Sequence, residues 1–188
     1  MIPVHIIVAI DSKSGIGKGG DLPWHLSGDL KHFREITCAT SSSKKKNIVL
    51  MGRKTWDSIP KEFRPLNGRI NIVLTHNKFL DVPEGVLRAE NFDQVLTMTK
   101  SERLKNIIET VFVIGGQQVY AEALKYPECQ KVYVTQVHQA FGCDVFFPEF
   151  KGRFVKTTES SRHNEGPLNY HFEEYELKSH ESPQRTQS

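Results

Sequence analysis

Short runs of consecutive apolar residues alternate with amphipathic stretches along most of the chain. Val4–Ile10 (VHIIVAI), Ile48–Met51, Ile70–Thr75 (INIVLT) and Val111–Ile114 are apolar and rich in β-branched residues. Runs of this length fit strands covered on both faces, as in a parallel sheet. Lys131–Val137 (KVYVTQV) alternates, with Thr135 opposite in orientation to Val134. Leu30, Phe33 and Ile36 recur three apart. That spacing predicts a helix starting near Gly28, capped by Ser27, with Asp29 in its first turn. Gly52-Arg53-Lys54-Thr55-Trp56 turns into a short helix that Pro60 ends, and Phe92–Leu96 reads as part of another. Val86-Leu87 reads as a short strand, and Leu104–Ile108 begins the run into Val111–Ile114. Phe154–Ser160 and Tyr170–Leu177 read as a terminal strand pair, joined by a hairpin-like link, His163–Leu168. The expected class is α/β: a mostly parallel sheet with helices on both faces and an antiparallel last strand.

The chain has 188 residues and 38% hydrophobic content, enough for one globular domain with a real core. We expect a domain over 1–178 and a polar, disordered tail over 179–188. Twenty-five basic residues against 22 acidic leave a net charge of +3, too balanced to suggest nucleic acid. The basic cluster Lys44-Lys45-Lys46 reads as a solvated loop. Three cysteines form no paired framework, which favours a reducing compartment. No run approaches the roughly 20 apolar residues of a spanning helix. A cytoplasmic monomer, without membrane attachment or a metal site, is the expectation.

Four stretches offer chemistry. Gly115-Gly116 ends an apolar strand and opens a helix (Val119, Tyr120, Ala123, Leu124), where a ligand can touch bare backbone and unpaired N–H groups. Glycines there also serve packing alone. Gly15–Asp21 holds four glycines but resembles a dinucleotide fingerprint only superficially, because Leu22-Pro23-Trp24 intervenes before any helix. A mobile covering loop is the better reading. Asp29 and Phe33, four apart, share a helix face, placing a carboxylate beside an aromatic ring. Arg53, Lys54 and Thr55 at a helix start suit a phosphate, and Arg69 at a strand entrance suits a carboxylate held by two prongs.

Taken together, the motifs resemble dihydrofolate reductase of the single-domain eukaryotic type. They are IVAI (7–10), GIGKGGDLPWHLSGDLKHF (15–33), IVLMGRKTWDSIP (48–60), RPLNGRINIVLT (64–75), VFVIGGQQVY (111–120), VYVTQV (132–137) and DVFFPEF (144–150). Any one is weak; seven in order, from about Val4 to Leu177, are specific. The resemblance implies a central, mostly parallel eight-stranded sheet. It also implies hydride transfer from NADPH to C6 of 7,8-dihydrofolate, with protonation at N5, giving 5,6,7,8-tetrahydrofolate. Antifolates are the implied inhibitors, and no thymidylate synthase segment of the kind fused in some relatives is expected.

The resemblance assigns Asp29 to the pterin, with Leu22, Trp24 and Thr135 nearest the chemistry and Thr135 hydrogen-bonded to the carboxylate. Substrate contacts fall on Ile7, Val8, Phe33, Arg34, Ile59, Pro60, Leu66, Arg69, Ile114 and Tyr120. Arg69 meets the glutamate tail, and the carbonyls of Ile7 and Ile114 accept from the pterin amino group. Cofactor contacts fall on Ala9, the loop Ile16, Gly17, Lys18, Gly19, Gly20 and Asp21, and on Gly52, Arg53, Lys54 and Thr55. They continue at Leu74, Thr75, His76, Asn77, Ile114, Gly115, Gly116, Gln117, Gln118, Val119 and Tyr120. The family joins the two glycines by a cis peptide.

The sequence departs from the family at the cofactor's 2′-phosphate end. His76 and Asn77 replace a common arginine, and Glu90 stands where some relatives have a base. This predicts weaker discrimination against NADH, or discrimination that falls above about pH 7 as histidine loses its charge. Flat NADPH/NADH ratios from about pH 6 to 8.5 would rule out the histidine part. Ser27 and Gly28 also depart from the usual residues before the acid. Two rivals differ in class: a related NADPH-dependent pyrimidine reductase, and a non-catalytic pterin- or nucleotide-binding protein. The DLPW…D…F stretch with Arg69 argues against the first, and the full set of site residues against the second.

Overall fold

A computed structural model describes residues 2–178; the tail expected over 179–188 lies outside the described residues. The elements in chain order are β1 (Val4–Ile10), β2 (Gly15–Gly17), α1 (Ser27–Cys38), β3 (Lys46–Gly52), α2 (Arg53–Ser58), β4 (Ile70–Leu74), β5 (Leu87–Ala89), α3 (Phe92–Thr99), β6 (Ile108–Gly115), α4 (Gln117–Ala123), β7 (Cys129–Val137), β8 (Val145–Phe146), β9 (Phe154–Glu159), β10 (His163–Glu165) and β11 (Leu168–Leu177). The main sheet runs β10-β11-β7-β1-β6-β3-β4-β5, with β9 also on β11. Strands β7, β1, β6, β3, β4 and β5 are mutually parallel, and β11 is antiparallel to β7.

Alternation along each buried strand divides the core. Ile6, Val8, Ile10, Ile48, Leu50, Ile72, Val111 and Val113 pack on one face with α3 and α4. Ile7, Val49, Met51, Val73 and Phe112 pack on the other with Trp56 of α2 and with Phe33 and Ile36 of α1. Each fully buried aliphatic side chain contributes roughly 1.5–3 kcal/mol, so the strands that are apolar on both faces anchor the fold.

Among the described residues the sheet has nine strands rather than eight. Both β9 and β10 lie on the edge of β11 away from β7, β10 along Leu168–Tyr170 and β9 along Glu173–Leu177. The segment expected to be a plain link thus holds β10. The chain breaks between them at Ser160, whose hydroxyl accepts from the Phe172 amide at 3.0 Å in place of a backbone carbonyl. A small second sheet pairs β2 with β8. The Gly-rich loop is therefore tethered at its base instead of being free throughout. The Asp11 carboxylate reinforces that base by accepting from the amides of Lys13, Gly15 and Phe141.

Among the described residues no helix is long and apolar enough to cross a membrane.

Candidate active site

The chain leaves the carboxyl end of β1 towards β3 and the carboxyl end of its neighbour β6 towards β7. Such a reversal opens a crevice at the carboxyl ends of parallel strands, the usual ligand position in open α/β sheets. The predicted residues converge on this end: Ala9 on β1, Gly52–Thr55 at the β3–α2 junction, Leu74–Asn77 after β4, Ile114–Tyr120 across β6 and α4, and Thr135 on β7.

Asp29 projects from the first turn of α1. The Thr135 hydroxyl donates to its Oδ1 at 2.6 Å, bridging helix and sheet. Burial pushes the Asp29 carboxyl above the ordinary range, opposed by the Thr135 bond and assisted by the nearby charge of Glu165. The expected Ser27 cap is not what the structure shows. The helix begins at Ser27 itself, Leu26 occupies the cap position, and no side chain caps from there. The amides of Ser27 and Gly28 donate instead to Glu165, at 2.7 and 3.1 Å. The sequence reading missed Glu165, because its partners lie 138 and 137 residues away.

Arg69 is set by its own turn. Asn71 accepts from the Leu66 amide and donates to the carbonyls of Leu66 and Arg69, and Gly68 takes a φ of 82°. The guanidinium donates to the Asn67 carbonyl at 3.0 Å and the Thr37 hydroxyl at 2.8 Å, and lies 5.7 Å from the Phe33 ring centre. Partial burial lowers its pKa, with like-charged Arg34 adding to the effect. Arg34 itself is exposed. Phe33, Ile59, Leu66 and Ile114 pack together with Ile7, forming one apolar wall beneath Arg69; Pro60 beside it is exposed. Val8 does not join that wall: one position along β1 from Ile7, its side chain lies in the core on the opposite face. The Ile7 carbonyl accepts from the buried Tyr120 hydroxyl at 3.1 Å.

At the Gly115-Gly116 junction the peptide is cis. An added Cβ on Gly115, whose φ is 133°, would meet Thr55 Oγ1 at 3.2 Å and Tyr120 Oη at 3.4 Å. One on Gly116 would meet Thr55 Oγ1 at 3.4 Å, and one on Gly52 would meet Val119 at 3.2 Å. These glycines let β3, β6 and α4 close onto one another and leave bare backbone at the crevice. Arg53 and Lys54 are exposed beside it, with Arg53 loosely paired to Asp57 at 3.8 Å. Val119 and Tyr120 turn into the core, whereas Gln117 and Gln118 face outward. His76 and Asn77 are exposed, and the acid at Glu90 faces Lys78, 3.6 Å away. Lys78 is a cation at this end that the sequence reading did not single out.

The loop tip Lys18–Asp21 is an exposed turn closed by two backbone bonds between Lys18 and Asp21, with Gly19 and Gly20 at φ 60° and 96°. The Gly19 amide donates to Asp144 at 2.9 Å. Ile16 packs back on the main core and Gly17 pairs with β8, while Leu22 is half exposed. Trp24 is buried against Phe141, and its indole N–H has no partner among the described residues. A buried donor without a partner costs about 1–3 kcal/mol, so this atom suits a polar ligand or water. Bare glycine backbone, basic residues at a helix start and an orphan indole donor fit a dinucleotide and a heteroaromatic substrate side by side.

A family model described as dihydrofolate reductase matches residues 3–177. The chain is 37% identical to the dihydrofolate reductase of Heliothis virescens and 39% identical to that of Sus scrofa, each over 93% of this chain and 97% of the relative. It is also 44% identical to bifunctional dihydrofolate reductase-thymidylate synthase 2 of Arabidopsis thaliana, over 76% of this chain but 26% of that protein. The chain thus spans about a quarter of the plant bifunctional relatives it matches. Among solved structures, Schistosoma mansoni dihydrofolate reductase superposes with a TM-score of 0.83 at 31% identity, covering 94% of this chain and 99% of that one. On a match spanning all its strands and helices, with the Asp29–Thr135 pair and the glycine junction at one crevice, the chain belongs to the dihydrofolate reductase family.

Proposed function

We propose that this chain reduces 7,8-dihydrofolate to 5,6,7,8-tetrahydrofolate with NADPH. The reading rests on one observation: a half-buried carboxylate, Asp29, held by Thr135 at the crevice mouth, one helix turn from Phe33 in the apolar wall beneath Arg69. Bound NADPH supplies the hydride, so the protein needs no nucleophile of its own. Arg53, Lys54 and Thr55 hold the phosphates, with His76 and Lys78 at the far end. The backbone at Gly115-Gly116 admits the cofactor close to the sheet.

Asp29 anchors the 2-amino and N3 side of the pterin. Its oxygens are then engaged away from N5, so a water delivers the N5 proton while Asp29 favours the protonated pterin electrostatically. Phe33, Ile59, Leu66 and Ile114 flank the ring and aminobenzoyl group and exclude water, which strengthens every charge interaction inside. Arg69, its Nε and Nη1 already committed to Asn67 and Thr37, is fixed to receive the glutamate carboxylate. Residues 1–178 act as a single domain, as a monomer, in the cytoplasm, with no nucleic-acid or membrane partner.

The test is the loss of NADPH near-ultraviolet absorbance with and without dihydrofolate, for the natural protein and for Asp29→Asn. Dihydrofolate-dependent loss that the substitution slows about 100-fold or more supports the reading. NADPH binding without dihydrofolate-dependent oxidation overturns it in favour of a related reductase or a binding protein.

A further inference from the structure

The helix that presents Asp29 is held at its start from across the molecule. Four amides at a helix start lack intrahelical partners. Here the Ser27 and Gly28 amides donate to the two carboxylate oxygens of Glu165 at the end of β10, at 2.7 and 3.1 Å. The next residue is Asp29. The same hairpin makes a second contact: a Cβ on Gly28 would fall 2.0 Å from the Tyr170 hydroxyl and 3.6 Å from Glu165 Oε2. Tyr170 is buried and stacks on His163 of β10 at 5.3 Å. Glu165 and Tyr170 therefore grip the first turn of α1 from two adjacent strands. Gly28 is what allows the fit.

We propose that Glu165 is a positioning residue for the reduction, its carboxylate locking the turn from which Asp29 meets the pterin. This rests on the reaction proposed above. The clamp also has an electrostatic side. Among the described residues the Thr135 hydroxyl on β7 donates to Asp29, and the Glu165 carboxylate and the hydroxyls of Tyr120 on α4 and Tyr170 on β11 are near enough to couple to it electrostatically. Glu165 is the only charge among these groups. The two amides hold it ionised, with His25 adding a smaller effect. A fixed negative charge on the Gly28 amide, next to Asp29, favours a proton on any neighbouring acid and on the pterin. It therefore extends the active range towards neutral pH. A cap of this kind elsewhere stabilises a helix; here it also tunes the acid that the helix presents.

The experiment compares Glu165→Gln, which keeps an acceptor oxygen but removes the charge, with Glu165→Asp, which keeps the charge. Two quantities are read: the Asp29 carboxyl titration in the unliganded protein, by carbon-13 NMR of labelled aspartate, and the pH profile of kcat. For Glu165→Gln both move to lower pH by about half a unit, the size expected for one partly screened charge at close range. For Glu165→Asp both stay nearer the natural protein. If Glu165→Gln leaves both midpoints and kcat in place and only lowers the melting temperature, Glu165 is a helix cap and nothing more. A natural protein with no dihydrofolate-dependent turnover refutes the reaction instead, and the NMR titration still decides the role of Glu165.

Discussion

Replacing Thr135 by valine removes one hydroxyl from a β-branched side chain and leaves a shape of nearly the same volume. Thr135 is 3% exposed, and its hydroxyl is the side-chain donor to Asp29, at 2.6 Å. Asp29 is itself desolvated, so no bulk water replaces the lost donor cheaply. A hydrogen bond to a charged group is worth about 1.5–3 kcal/mol. If that energy is felt in the reacting complex, kcat/KM for dihydrofolate falls roughly 10- to 150-fold at about pH 7, at tenfold per about 1.4 kcal/mol. A donor to a carboxylate favours the ionised form, so its loss moves the Asp29 titration upward. The deficit therefore narrows as pH rises, because the variant holds the proton on Asp29 and the pterin to a higher pH than the natural protein does. The assay is steady-state NADPH oxidation across about pH 5.5–8.5, with Thr135→Ser as the rescue that restores the donor. A Thr135→Val protein within about twofold of the natural one throughout would show that the bond does not support Asp29 in the complex.

Other outcomes follow from the same geometry. Arg69→Leu weakens dihydrofolate binding about 10- to 150-fold, on the loss of a charge-assisted contact, but leaves turnover of a dihydropterin lacking the glutamate tail nearly unchanged; equal losses on both substrates would place Arg69 elsewhere. His5, packed against Phe112 and Tyr133, is pushed down to about 4 by burial first and by Lys131 second. Its folded-state value lies below its unfolded one, so the unfolded chain takes up the proton first and stability falls as pH drops from about 6.5 towards 4. The slope reaches at most about 1.4 kcal/mol per pH unit. Urea titration should show His5→Phe losing about 2 kcal/mol less than the natural protein between about pH 7 and 5, and equal losses would assign acid sensitivity to other groups.

Local pattern made much of this molecule legible. Runs apolar on both faces marked β1, β3, β4 and β6, because a strand covered by helices on two sides has no polar positions to spare. Asp29 and Phe33 were readable as one helix face, and Gly115-Gly116 as a close approach, since both depend on spacings of a few residues. What escaped was long-range. Ser27 looked like a cap because cap preference is local, yet Glu165 from the far end of the chain satisfies the amides. The three-residue strands β2 and β10 have no periodicity to detect; they exist through pairing with β8 and β11. The same holds for the cluster that joins β9 and β11 to the residue after β7, where exposed His138 and Lys156 meet buried His171, Glu173 and Tyr175. There His138 lies 2.8 Å from His171, and His171 Nε2 lies 3.1 Å from Glu173, which also accepts from Tyr175 and from Lys156. Val8 was assigned to the substrate wall beside Ile7, although strand alternation sends adjacent side chains to opposite faces. Glu90 looked like a charge misplaced at a phosphate site until the fold put Lys78 beside it.

The most direct test follows the atom transferred. The natural protein and Asp29→Asn are incubated with dihydrofolate and NADPH deuterated at both C4 positions, and the folate product is examined by mass spectrometry and NMR. The account predicts one deuterium at C6 of tetrahydrofolate with the natural protein, and product formation about 100-fold slower or more with Asp29→Asn. Oxidised cofactor without deuterium in the folate, or an Asp29→Asn protein that labels C6 as fast, would contradict it.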